Sequence, residues 1–133
     1  MTPAYPKPAP RKKTEPEPVP EGARLAVEAR SGGICEGCGQ ARAAEIHHRK
    51  FRSRVGSNDV ENLLHLCGWG NTSGCHGEAH GGPPTPGRCA ALGWAVAKWE
   101  DPLEVPVLYR GRPLYLTASG HTITPEQYES EAA

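Results

Sequence analysis

The 133 residues are 37% hydrophobic and 6% aromatic, with 16 glycines and 14 prolines, which supplies one small core and excludes a second domain. Fifteen basic and fifteen acidic side chains sum to zero, so a uniformly basic coat is excluded and any polyanion site must come from uneven charge. No apolar run reaches the roughly 18 to 20 residues of a bilayer span, and the N-terminal MTPAYPKPAPRKK lacks the apolar stretch of a secretory signal. The expectation is a cytoplasmic protein with no membrane partner.

Seven of the 14 prolines fall in residues 1–20, where they fix φ and remove donors, so this segment is expected to be a disordered, polyproline-leaning tail. From Glu21, EGARLAVEAR has Leu25, Ala26 and Ala29 on one helical face and ends at Ser31, Gly32 and Gly33. A C-x-x-C turn at 35–38 follows, then a short strand at Glu45 to His48, a polar loop from Arg49 to Asp59, and NLLHLC at 62–67. A Gly-rich loop at 68–74 leads into a helical turn near Cys75. Residues 81–87, GGPPTPG, cannot be helical, RCAALGWAVAKWE has partly helical spacing, and VPVLYRGRPLYLT alternates like a hairpin turning at Arg110 to Pro113. The folded domain is expected to be α+β and to span 21–120, with 121–133 a polar, frayed tail.

Five cysteines without an export signal favour metal ligation over disulfides. Cys35 and Cys38 sit on a Gly-rich knuckle, and Cys67 and Cys75 bracket a seven-residue loop that returns a second pair of thiolates. Four soft ligands suit tetrahedral Zn2+, and a site closed by four protein ligands is structural. No thioredoxin-like pattern surrounds the C-x-x-C, which disfavours a redox dithiol. Cys89 is left over as a free or buried thiol.

Four of the six histidines lie at 47, 48, 76 and 80, interleaved with the cysteines. His76 and His80 are four apart, so on a helix both imidazoles face one ion. His47 and His48 are neighbours on a strand and point to opposite faces, so one can join the ion while the other serves as a general base. Three protein ligands leave room for water and a phosphate oxygen, as a catalytic centre requires. The H-E-x-x-H metalloprotease motif does not fit, since Glu78 is one place late and Gly77 weakens the helix.

The order C-x-x-C, EIHHRK, loop, ENLLHLC, GCHGEAH resembles the HNH endonucleases over about residues 24 to 82, with the motif core at 35–82. That resemblance implies a ββα-metal finger, two strands and a helix around one divalent ion, stabilised here by the four-cysteine zinc site. It also implies that His47 is a metal ligand, His48 the general base, Asn62 the residue that ties the loop and positions the base, and His76 and His80 further ligands. The catalytic ion would be Mg2+, Mn2+, Ni2+ or Zn2+. The wide Cys67 to Cys75 spacing departs from members with a second close cysteine pair and looks like small HNH proteins of phages. This extends the implication to a host bacterial cytoplasm, with DNA as substrate and terminase or other packaging proteins as partners.

Arg49, Lys50, Arg52 and Arg54 follow the histidine pair and are expected to grip flanking phosphates. His65 and His121 are expected to be non-ligating, and Trp69, Trp94 and Trp99 to serve packing rather than base stacking. The expected function is metal-dependent DNA phosphodiester hydrolysis, by a neutral imidazole of reference pKa near about 6.5 that activates water. The alternative is a non-catalytic zinc module that binds DNA or protein on the same scaffold, and a minor one is an RNA-cleaving or toxin-like nuclease.

Overall fold

Helix α1, Glu21–Ser31, opens after Pro20 with Glu21 in its first turn and closes with Arg30 in its last, each charge matched to the helix dipole. Gly32, in the left-handed region at φ 63°, donates its N–H to Glu28 and stops it. The computed structural model describes residues 18–51, 56–68, 73–79 and 92–132. Expectations for His80, Arg52, Arg54, Trp69, Cys89, the 81–87 segment and most of the N-terminal tail therefore lie outside the described residues.

The buried stripe of α1 is Val27 and Ser31, while Leu25 is 52% exposed, which corrects the expected Leu25, Ala26 and Ala29 face. The cause is Arg30. Its guanidinium pairs with Glu36 at 2.7 Å and donates to the carbonyls of Val60 and Leu63, so the side of the helix that carries Arg30 and Val27 must turn inward.

Strands β1 (Glu45–His48) and β2 (Leu63–Leu66) form an antiparallel pair with His47 opposite Leu64 and His48 opposite Leu63. A 3-10 turn at Val60–Asn62 enters β2, and the short helix α2, Gly74–Ala79, follows it. The strand, strand, helix order predicted for the middle of the chain is therefore present.

A second sheet runs in the order β3 (Val107–Tyr109), β4 (Arg112–Leu116), β5 (Thr122–Ile123), all antiparallel. Its first turn places Arg110 and Gly111 both at positive φ, 50° and 86°, which matches the twist of a two-residue hairpin. Arg110 is held there because its guanidinium donates to the carbonyls of Ser31, Ile34 and Cys35. Leu64, Leu66, Ala79, Trp94, Val107, Leu114 and Leu116 join the two sheets and α2 in one core that includes Cys35 and Cys75.

Two expectations fail at the C-terminal side. Residues 121–133 were expected to fray, yet β5 pairs with β4 and helix α3, Pro125–Ala132, packs back on that sheet with Tyr128 stacked on Tyr115 at 3.9 Å. Thr124 and Gln127 exchange side-chain to backbone hydrogen bonds as a capping box, with Pro125 at the first helical position. Residues 92–100 form turns rather than helix, because Gly93, at φ 71°, lies so close to Pro106 that a Cβ there would stand 1.9 Å from its carbonyl oxygen. Among the described residues no helix is long and apolar enough to cross a membrane.

Candidate metal centre

The knuckle at 34–42 is closed by a bridge between Ile34 and Arg42 and by Gly39 N–H donating to the Cys35 carbonyl at 3.0 Å. These bonds set Cys35 and Cys38 on one side of the turn. Cys67 directly follows β2, and Cys75 is the second residue of α2. What brings the last two together is a pair of glycines, Gly68 at φ 83° and Gly74 at φ 61°. A Cβ on Gly68 would meet the Ser73 carbonyl oxygen at 2.1 Å, and one on Gly74 the Cys67 oxygen at 2.7 Å. The closure lets His76 donate its N–H to the Cys67 carbonyl at 3.0 Å.

The sulfurs of Cys35, Cys38, Cys67 and Cys75 all lie within 4.8 Å of one another. Backbone N–H groups of Cys38, Gln40 and Cys75 point at the sulfurs of Cys35, Cys38 and Cys67, as charged thiolates require. The Cys75 thiol donates to Cys35 and, with the backbone amides of Cys38, Cys67 and Gly37, pulls Cys35 down to about 4 against the opposing effect of burial. The same bond, with burial, pushes Cys75 up, and burial pushes Cys67 up. One thiolate thus shares the protons of its neighbours, and a soft divalent cation can replace those protons. The four cysteines can hold a metal ion such as zinc.

On the other side of α2 the structure brings His47 and His76 together, with ring centroids 5.2 Å apart at 71°. His47 is buried and donates Nε2–H to the Trp94 carbonyl at 2.7 Å, so its Nδ1 carries the lone pair. The Nδ1 of His76 lies 2.9 Å from a Glu45 carboxylate oxygen, an ion pair when the ring is protonated. Glu45 is a residue the sequence reading passed over. Its signal was available, since it stands two positions before His47 on the same strand face.

His48 occupies the opposite face and its Nε2 meets Asn58 Oδ1 at 2.8 Å. The Asn62 side chain accepts from Lys50 N–H and donates to the carbonyls of Lys50 and Ser57. Asn62 therefore ties the loop, while Asn58, missed in the sequence, is the side chain at His48. His65 pairs with buried Ser31 through Nδ1 at 2.8 Å, as suits a packed strand residue, and His121 is exposed.

Arg49 requires a correction. It is fully buried, and its guanidinium donates to the carbonyls of Glu61, Gly93, Pro102 and Val105, so it is not available to a phosphate. Burial and then the charge of Arg30 push it down to about 9, which still leaves it protonated at neutral pH. Lys50 is half-buried. Trp94 is a core residue whose indole donates to Leu108, whereas Trp99 is 88% exposed, contrary to a packing role.

Fold and donor set define a small α+β chain built around a four-cysteine centre fit for a soft metal ion. Family models, curated proteins and solved structures offer no match to this chain.

Proposed function

We propose that this chain is an HNH-type, metal-dependent endonuclease that hydrolyses DNA phosphodiester bonds. The observation that carries the reading is the meeting of two imidazoles, one from β1 with its Nε2–H on the Trp94 carbonyl and one from α2 beside the Glu45 carboxylate, with a further histidine on the reverse face of β1. Orientation of a ring by a carbonyl or carboxylate is the arrangement that metal-ligating histidines use.

In this reading Cys35, Cys38, Cys67 and Cys75 hold structural Zn2+ and anchor α2 against the hairpin. His47 and His76, with His80 four residues further on, hold a catalytic divalent ion, Mg2+, Mn2+, Ni2+ or Zn2+, which supplies positive charge at the scissile phosphate. His48, oriented by its Nε2–H on Asn58, takes the proton of the attacking water. Asn62 fixes the loop that carries Asn58, and Lys50, Arg52 and Arg54 bind flanking phosphates. The setting we infer is phage DNA processing in a bacterial cytoplasm, beside terminase or other packaging proteins.

The test is cleavage of supercoiled plasmid by zinc-loaded chain with each ion, native against His48→Ala at matched zinc content. Nicking by the native chain and its loss in a folded His48→Ala variant is the expected result. DNA binding with no cleavage under any ion would overturn it in favour of a non-catalytic zinc module, the reading that the inward turn of Arg49 favours by thinning the basic face.

A further inference from the structure

With Arg49 turned inward, the exposed cations of the described fold gather elsewhere, on the cysteine knuckle and the β3–β4 turn. Arg42, Arg110 and Arg112 are all exposed, and among the described residues none of them forms an ion pair. Glu36 of the knuckle is buried against Arg30, and Glu28 of α1 pairs with Arg24 at 3.6 Å, so both carboxylates are engaged with other cations.

Hydrogen bonds bring the three arginines together. Ile34 bridges to Arg42, and the Ile34 carbonyl accepts from the Arg110 guanidinium at 2.9 Å. Bridged residues have Cα atoms about 5 Å apart, so Arg42 and Arg110 both stand beside Ile34. Arg110 lies across the knuckle so closely that a Cβ on Gly39 would stand 2.9 Å from its side chain. Arg112 follows one residue later, opposite Tyr109 at the same turn. The carbonyls of Ser31, Ile34 and Cys35 fix the Arg110 guanidinium without cancelling its charge, since a carbonyl is a dipole and not an anion. The cluster is joined to the histidines through β1: Arg42 precedes Glu45 by three residues, at most about 10 Å of chain, and Glu45 lies beside His76.

Guanidinium groups on a fixed backbone suit phosphate diesters, which they meet through paired N–H donors. A lipid surface would also require a broad apolar anchor, and the knuckle exposes only Ile34, at 40%. We infer that Arg42, Arg110 and Arg112 form a phosphate-binding surface that holds the backbone of a DNA strand running from the His47 and His76 pair toward the β3–β4 turn. The choice of DNA as partner rests on the nuclease reading. Such a surface grips without reading sequence, because backbone phosphates are alike.

The probe is a fluorescein-labelled twenty-base-pair DNA duplex, titrated by anisotropy over a range of salt with the full zinc-loaded chain and no second metal ion. Arg42→Gln and Arg112→Gln are each expected to weaken binding about threefold to fivefold, and each to make the slope of log affinity against log salt shallower by about 0.9. Arg110 is left in place because it also fixes the knuckle. Lys98→Gln removes the same charge from the loop that carries Glu100 and Asp101, and is expected to change affinity less than twofold. Unchanged slopes in both arginine variants, at native melting temperature and zinc content, would overturn the proposal. An equal loss in Lys98→Gln would overturn it too, since net charge alone would then explain the effect. Vesicles of phosphatidylcholine with one-third phosphatidylserine supply the lipid arm, and binding to them that falls in the arginine variants while duplex binding holds would reassign the surface. Plasmid cleavage is scored separately. Nicking with unchanged slopes removes this surface and leaves the nuclease reading, whereas shallower slopes without nicking remove the nuclease reading and leave the surface.

Discussion

At the cysteine end of the β1–β2 hairpin, four sulfurs from the knuckle, the end of β2 and the start of α2 meet inside the core. At the histidine end, His47 of β1 meets His76 of α2, the first with Nε2–H on the Trp94 carbonyl and the second beside the Glu45 carboxylate. The first arrangement gathers four soft donors that can hold a metal ion such as zinc. The second is held in place by protein groups alone. In the function we propose, a chain with so small a core would tie its folding to the cysteine site and keep the histidines for an exchangeable ion.

The largest effect should come from breaking the cysteine end. One equivalent of zinc is expected by metal analysis, and stripping it with a chelator under reducing conditions should abolish the cooperative melt. The reason is that structural zinc contributes apparent binding free energy of about 10 kcal/mol or more, against a total stability of about 5 to 15 kcal/mol for a typical domain. Cys35→Ser should behave as the stripped chain does. A melt that survives metal removal would dissolve the distinction between the two ends.

Next comes Arg49, the pin of the histidine end. Arg49→Leu removes the donor for four buried carbonyls at once and should cost about 3 to 5 kcal/mol in urea unfolding, with the zinc content intact. Arg49→Lys should recover only part, because an ammonium cannot match the fork that reaches Gly93 and Val105 together. A loss under about 1 kcal/mol would mean that residues 92–105 are held by the core alone.

The same arginine marks where sequence stopped being a guide. C-x-x-C spacing, the alternation of EIHH and LLHL, and the Cys67 to Cys75 return were legible because neighbours in the chain carry them. The fate of Arg49 was not legible, since its four acceptors come from residues 61, 93, 102 and 105 and only tertiary packing assembles them. In sequence it is one more cation in a basic run. Helix α3 was misjudged for another reason: its T-P-E-Q cap was on view, but polar composition outweighed it, and the Tyr115 to Tyr128 stack that fixes the helix is a long-range contact. Asn58 and Glu45 were hidden because loop closure and strand face, not motif, put them at His48 and His76.

Sharpening the comparison from the other side, Glu45→Gln should leave the melt within a few degrees of native and weaken Mn2+ or Ni2+ binding by about 10- to 100-fold, with a parallel loss of plasmid cleavage. The amide keeps the size of the side chain beside His76 but no longer carries the charge that raises the ring's donor strength. Calorimetric titration of the zinc-loaded chain measures it. Equal affinity in both chains would reduce Glu45 to a surface contact.

The smallest effect is expected where a histidine lies outside both clusters. His65 sits on β2 opposite Ile46, and its Nδ1 meets Ser31 Oγ, which also receives the Gly33 N–H at 3.1 Å. That pair braces the end of α1 against β2, with Arg30 one residue before Ser31 bound to Glu36. Ser31→Ala removes one buried hydroxyl and should cost about 1 kcal/mol in urea unfolding, with unchanged zinc content and unchanged Mn2+ affinity. If Ser31→Ala instead altered Mn2+ affinity, His65 would belong to the ion site and the split between a strut on one face of β2 and ligands on the far side of the hairpin would fail. Its position argues against that outcome: a register one residue from that of His47, hence the other face of the pair, and a ring committed to α1, leave the β1 and α2 imidazoles untouched.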